Sequence, residues 1–486
     1  MRKLLTLCIF SIFLSFSSCN QEDTSPILVS TEDLLFVGGD KVRISGRLLT
    51  NREVLATDHG FLFSTEPSFS GAQTLSLGEK NGPGRFIGES AGFKIGQTYF
   101  AKAFAEVNGQ RIEGDVVELK TLTPFVNNFS PRYASAGSQM VIEGRNFPEG
   151  TKVFFGTQEA QVIQNLFESR LTLRIPAASG QVVVPVRIVI QDQEIILPQP
   201  FEYQAGKFTK ITEFPGGSRI YDNTFFYNSS GFHVGLGRLR LADPYPLFQR
   251  YDPAGNTWAE VSFPGAPRRF AFSSPTYLGG GALETSRDVF QFDRSFWKIQ
   301  GSTFERLPDL PFNTREAMAV DWKGKLYLFG GRDGAGSVVR EYNPTTGNWT
   351  LKRNAPFDMS GTTATFSFGD RVFVLSSSGA IWEYLPQEDE WRRDSTYPGS
   401  TGEGYPFAQV IGNKAYMGLY RRTQEIWELN LETGIWKSKN QIIGLPQSIN
   451  MGSFVFGEAI YILRAAEESV NGALPMELYK FEPDAI

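Results

Sequence analysis

The chain has 486 residues, enough for several domains, with 47 Lys and Arg against 52 Asp and Glu and a formal net charge of −5. No basic stripe interleaves with aromatic residues, which excludes a phosphate-binding face and, with it, nucleic acid as a partner. Two cysteines are too few for a disulfide framework, and two histidines with the one cysteine outside the N-terminal apolar stretch are too few for a closed zinc site, whereas 14% aromatic residues, 49 Gly and 27 Pro fit an all-β chain with many turns.

The chain opens with Arg2-Lys3, an apolar stretch from Leu4 to Phe16, and Ser17-Ser18-Cys19. A basic start and an apolar core too short for a stable span read as a secretory signal over residues 1–18. Small residues directly before a cysteine resemble the lipobox of bacterial lipoproteins. That resemblance implies cleavage before Cys19, acylation of Cys19 and anchoring in a lipid bilayer, because several acyl chains hold far more firmly than one. Cys8 lies inside the signal, so the mature chain has no cysteine pair to oxidise. Loss of Arg2 and Lys3 takes the net charge from −5 to −7. Residues 19–26 form a polar tether whose Asn20-Gln21-Glu22-Asp23 resembles the export tag of Bacteroidota-type surface lipoproteins. It implies an outer membrane lipoprotein exposed at the cell surface, with the periplasmic face as the alternative.

Residues 27–123 read as a first β domain. Lys41 to Leu49 alternates, Gly60 to Ser64 makes another strand, and Thr98 to Ala105 a third. Thr57-Asp58-His59-Gly60-Phe61 and the stretch from Tyr99 to Gly109 resemble fibronectin type III-like modules. His59 stands alone and fits a turn or packing role. Residues 124–203 form a second module, with Phe129-Ser130-Pro131, Gly137, Val141 to Phe147, Val153 to Gly156, Ile175-Pro176 and Phe201-Glu202-Tyr203 in order. This pattern resembles the IPT/TIG immunoglobulin-like domain, which in secreted proteins implies a spacer or a partner-binding module.

Residues 204–486 carry a repeat. Glu316 to Trp349 has three short apolar runs, at Ala317 to Val320, Leu326 to Phe329 and Val338 to Tyr342, punctuated by Gly330-Gly331 and a Pro-Thr-Thr-Gly turn. Tyr342 and Trp349 are seven residues apart, as are Tyr251 and Trp258, Tyr384 and Trp391, and Leu429 and Trp436, with Trp297 to Phe304 a weaker copy. Trp258, Phe304, Trp349, Trp391 and Trp436 fall 46, 45, 42 and 45 residues apart. The pattern resembles the kelch repeat over residues 207–486. It implies an all-β chain ending in a six-bladed kelch-like β-propeller, behind two immunoglobulin-like modules. The sixth copy, from Gly452 to Phe481, lacks a fourth strand. Phe208 to Pro215 resembles Trp258 to Pro264, so residues 207–214 are expected to complete the last blade and close the ring.

The segment entering each blade's first strand is where ligand-facing side chains belong. It carries Arg219 in the first, Arg268 and Arg269 in the second, Arg315 and Glu316 in the third, Ser360 in the fourth, Glu403 and Tyr405 in the fifth, and Asn450 in the sixth. Guanidinium forks around one axis suit a carboxylate or a polyhydroxylated ligand, or else brace neighbouring blades. The repeat tryptophans and His233 fit packing. No catalytic residue, metal ligand or cofactor is assigned, and no HExxH, GxSxG or Gly-rich nucleotide loop occurs. The expectation is a surface binding protein, not an enzyme, that captures a glycan or an outer-membrane protein partner. The alternative is an isomerase resembling the kelch-type sialic acid mutarotases, with Glu316 or Glu403 as acid/base.

Overall fold

The computed structural model describes residues 26–239, 243–286, 289–332, 334–359, 364–445, 447–467 and 474–486. The expected signal, Cys19 and nearly all of the tether lie outside them, as does the Ser360 entry to the fourth repeat. The described residues are all-β, with no helix. The chain divides into two compact units, one of residues 1–132, 137–176 and 185–200, the other of 133–136, 177–184 and 201–486.

In the first unit a three-stranded sheet of Leu28–Val37, Lys41–Leu49 and Gly84–Ala91 accompanies a sheet built on Asp58–Ser64 and Thr98–Val107. Alternation along these strands sends Val42, Ile44, Phe61, Phe63 and Phe86 into one core. His59 is buried there. Its Nδ1 lies 2.7 Å from the Gly78 carbonyl and its ring meets Phe86 edge-on at 4.8 Å. The unit also holds a seven-stranded sheet running in space from Phe125–Ser130 to Gln193–Ile196, with Met140, Ile142, Val153, Leu171 and Ile188 buried.

The second unit contains six four-stranded antiparallel sheets. Five are consecutive meanders, starting with Thr224–Asn228, Phe272–Ser273, Met318–Trp322, Ala364–Phe368 and Phe407–Ile411. The sixth joins Ser448–Phe456, Ala459–Ala466 and Met476–Glu482 to Lys207–Glu213, which pairs antiparallel with Met476–Glu482. Its fourth strand therefore comes from the segment that precedes the first sheet. First strands of successive sheets adjoin, and that of the sixth adjoins Thr224–Asn228.

Second strands such as Lys325–Phe329 are apolar runs because both faces are covered; Leu326, Tyr327, Leu328 and Phe329 are all buried. The turn after this strand needs its glycines. Gly330 has φ +68°, and a Cβ there would lie 2.7 Å from Met359 Cβ. The aromatic pairs face each other across the last two strands, Tyr251 with Trp258, Tyr342 with Trp349, and Tyr384 with Trp391, at centroid distances of 5.1, 5.0 and 4.9 Å. Leu429 faces Trp436 in the same way. The second sheet departs from the expected pairing. There Ile299 faces Phe304, and Trp297 faces Arg306, because the turn Gln300–Thr303 is two residues tighter than in the neighbours. Trp297 instead donates its indole N–H to Ser295 Oγ at 3.0 Å.

Candidate functional site: a charged mouth on a six-strand cavity

The first strands of all six sheets surround a cavity of about 670 Å³, a size that suits a small ligand. Its walls are largely apolar, with Phe225, Phe272, Met318, Phe366, Phe407 and Met451 among them. At one end, Ser274 Oγ and the Thr276 N–H donate to Asp321 at 2.8 and 3.0 Å. Burial outweighs these bonds and raises the Asp321 carboxyl above its ordinary range.

The other end is a charged mouth, formed where the chain enters the first strands. Asp222, Phe270, Glu316 and Tyr405 each stand two residues before a first strand, in the first, second, third and fifth sheets, and each lines the cavity. Their φ angles are +58°, +61°, +59° and +54°. Left-handed backbone is unfavourable for side-chain-bearing residues by about 1 kcal/mol or more, and only Asp among these tolerates it readily. Neighbouring members of the set are tied through their backbones. The Phe270 N–H donates to the Asp222 carbonyl at 3.1 Å, and the Glu316 N–H to the Phe270 carbonyl at 2.9 Å. The corresponding position of the fourth sheet lies outside the described residues. The sixth carries a bulge at Asn450–Gly452 instead.

Carboxylates and guanidinium groups alternate around this mouth. Arg269 donates from Nε to Asp222 Oδ2 at 2.7 Å, again to the same oxygen from Nη2, and from Nη1 to Glu284. Arg332 Nε donates to Glu316 Oε2, and that pairing holds the guanidinium above its usual range. Glu403 and Glu467 share Arg421 and Arg422; Arg422 reaches them at 2.6 and 2.8 Å. Arg219 lines the cavity with its guanidinium over the Tyr221 ring at 4.5 Å, and its buried Nε has no hydrogen-bond partner among the described residues. Burial lowers its pKa. Burial first, then the charges of Glu316 and Asp222, raises the Tyr405 phenol, which is held protonated.

Of the residues chosen from sequence, Arg219, Glu316, Tyr405 and Asn450 are in the cavity wall. Asn450 serves the backbone there, donating to the Tyr405 and Leu419 carbonyls at 2.8 and 2.9 Å. Arg268 is placed elsewhere. It is 1% exposed, donates to Ser295 Oγ at 2.6 Å and the Gly280 carbonyl at 3.2 Å, and forms an ion pair with Asp293 at 3.0 Å, so it braces the second sheet from within. Arg269 and Arg315 flank the mouth without lining the cavity, because the next residue turns inward in each case. Arg315 lies over the Phe290 ring at 4.0 Å, on the hairpin of Ala282–Ser286 and Val289–Phe292. Glu403 stands in the ion-pair cluster described above. Sequence reasoning did not single out Asp222, Phe270 or Arg332; an even spacing before the first strands was the available signal. It also missed Arg464, buried in the sixth sheet with bonds to Ser448 Oγ, Asn450 Oδ1 and the Leu419 carbonyl at 2.9, 2.8 and 2.8 Å. Among the described residues no three His, Cys, Asp or Glu side chains gather as a metal site.

Residues 124–204 match the IPT/TIG domain family. The IPT/TIG domain is thus an immunoglobulin-like part of this chain, and its boundaries differ by one residue from those read in the sequence. No curated protein matches the chain. Among solved structures, YjhT is similar at 14% identity over 55% of this chain and 95% of its own, with a TM-score of 0.43. An auxiliary nutrient binding protein from Bacteroides thetaiotaomicron VPI-5482 is similar at 13% identity, over 74% of this chain and 98% of its own, with a TM-score of 0.36. A protein of unknown function from the same organism gives 13% identity, the same coverage and a TM-score of 0.37.

Proposed function

We propose that this chain is a membrane-anchored binding lipoprotein, exposed at the cell surface, whose C-terminal region captures a small glycan ligand. In this reading the six sheets are the blades of a kelch-type propeller. The pairing of Lys207–Glu213 with Met476–Glu482 and the adjoining first strands support ring closure. The observation that carries the reading is the single cavity reached by all six first strands, apolar along its walls and polar at its mouth. Such a surface matches the mixed C–H and hydroxyl faces of a sugar. Both mouth carboxylates in the cavity, Asp222 and Glu316, are engaged by guanidinium groups, an arrangement suited to recognition more than to proton transfer. Cys19 and its acyl chains supply the anchor, and the fibronectin III-like and IPT/TIG modules are spacers that carry the propeller away from the bilayer.

A glycan array probed with the full chain and with Arg219→Ala tests the ligand. Binding that the substitution weakens supports the reading; silence on every glycan sinks it and leaves an outer-membrane protein partner. A second reading, an isomerase similar to sialic acid mutarotases, draws on Arg219, Glu316 and Tyr405 sharing one cavity. Turnover of free sialic acid anomers, lost in Glu316→Gln, would favour it. The anchor is tested by labelling with a clickable fatty acid, lost in Cys19→Ala, and protease shaving of whole cells separates surface from periplasmic placement.

A further inference from the structure

We propose that Asp222, Phe270, Glu316 and Tyr405 are the ligand-reading set of the cavity, and that the ligand they read is an uncharged, hydroxyl-rich ring, a neutral sugar unit. The inference rests on the cavity being a glycan site and narrows what enters it.

Four sheets place a residue in left-handed backbone at the same position, two before the first strand, and none of the four is Gly or Asn. Where only the backbone path matters, Gly satisfies this conformation without strain, as Gly330 and Gly281 do elsewhere in the same sheets, at φ +68° and +90°. Retaining Phe, Glu and Tyr under strain indicates that the side chains have work to do at the mouth. Leu236 and Leu419 take the same conformation after second strands, at φ +51° and +45°, but they are fully buried, whereas these four line the cavity with identities that differ from sheet to sheet.

The guanidinium groups of Arg269, Arg332, Arg421 and Arg422 already have carboxylate partners within the protein. An acidic ligand would have to displace Asp222, Glu284, Glu316, Glu403 or Glu467 from them. Beside Arg219, what stays open is of another kind. Among the described residues Asp222 Oδ1, Glu316 Oε1 and the Tyr405 hydroxyl make no hydrogen bond, so the mouth offers two fixed acceptors and one phenol to ligand hydroxyls. Phe270 adds an aromatic face for C–H groups. Arg219, whose buried Nε has no hydrogen-bond partner among the described residues, can donate to a ring or hydroxyl oxygen.

The test uses the full chain in detergent. Saturation-transfer NMR and calorimetry compare D-galactose, D-glucose and D-mannose, each with its uronic acid. Wild-type protein is set beside Glu316→Gly and Tyr405→Gly, with melting temperatures recorded for all three. The expected result is a neutral sugar bound about tenfold or more tighter than its uronate, with both Gly variants weakened about tenfold and melting within about 5 °C of the wild-type temperature. Tighter binding of the uronate would overturn the neutral class while leaving the cavity as a sugar site. Undiminished binding by both Gly variants would remove the reading role from these residues. A fall in melting temperature of roughly 5 °C or more in both would show that the side chains hold the fold instead. No binding of any of the six sugars would overturn both this inference and the glycan reading.

Discussion

Two sets of positions recur from sheet to sheet in the second unit, and they recur differently. On the outer strands the chemistry repeats: Tyr251 with Trp258, Tyr342 with Trp349 and Tyr384 with Trp391 keep both residue type and contact. At the mouth the backbone conformation repeats and the chemistry varies, through Asp222, Phe270, Glu316 and Tyr405. Conserved chemistry within one chain marks what each sheet needs for packing against its neighbour. Repeated conformation with varied chemistry, on residues that all line one cavity, marks what the sheets jointly present to something else.

The comparison predicts where stability is concentrated. Tyr384 is fully buried, meets Phe329 at 5.6 Å and Trp391 at 4.9 Å, and donates its hydroxyl to Asp389 at 2.6 Å. Tyr384→Ala should cost about 4 kcal/mol in urea unfolding, from lost burial and the cavity left behind. Ligand affinity of the folded fraction should stay unchanged. A variant that kept stability but lost binding would invert the assignment of the two sets. Arg268 sharpens the same contrast, being an entry-segment arginine that belongs to the packing set. Arg268→Ala should cost about 3 kcal/mol, because it removes a fully buried guanidinium and leaves the carboxylate of Asp293 without its charge partner. Arg219→Ala should leave stability within about 0.5 kcal/mol while changing binding.

These two arginines also show how far the sequence could be read. The aromatic interval of seven was visible because side chains that pack against copies of themselves must repeat, and so were the strands that the interval brackets. The entry segments were located correctly for the same reason. Which residue of a segment turns inward was not visible. The turn is made by left-handed backbone at residues such as Glu316 and Tyr405, whose intrinsic preferences argue against it. The strand twist and the bonds from the Phe270 and Glu316 N–H groups impose it from neighbouring sheets. A long-range constraint of that kind leaves no local mark. Arg268 and Arg269 are adjacent in sequence, yet one is locked inside the second sheet and the other ties Asp222 to Glu284.

A pH titration separates the sets again. His233 is fully buried, stacked on Phe226 at 4.4 Å with Nε2 3.0 Å from Ser302 Oγ, and burial lowers its pKa from 6.5 to about 4. The folded protein therefore favours the neutral ring, and the unfolded chain binds the extra proton in between. This contribution is fully present above about pH 6.5 and is lost as pH falls towards 4, by up to about 3 kcal/mol. Carboxylates act in the same window, so the readout is the difference between wild type and His233→Gln, whose stability profile should be flatter. Equal slopes would mean that His233 is hydrated in solution.

The smallest expected effect is the most direct test of the contrast. If the mouth residues are strained, glycine should be better tolerated than alanine at Glu316, although glycine is the worse choice almost everywhere else in a sheet. Relief of the left-handed strain is worth about 1–2 kcal/mol, against about 0.5–1 kcal/mol for the extra freedom glycine has when unfolded. Glu316→Gly should thus be more stable than Glu316→Ala by roughly 1 kcal/mol. Two residues on, Met318 is in the strand itself, and there the order should reverse, with Met318→Ala above Met318→Gly. Gly330 supplies the mirror image, since Gly330→Ala adds both a left-handed Cβ and a 2.7 Å approach to Met359 Cβ. Both Glu316 variants lose the carboxylate and its bond to Arg332, so that loss cancels in the comparison and only the backbone term remains. Equal stability of Gly and Ala at Glu316 would remove the strain, and with it the reason to read the repeated conformation as a mark of function.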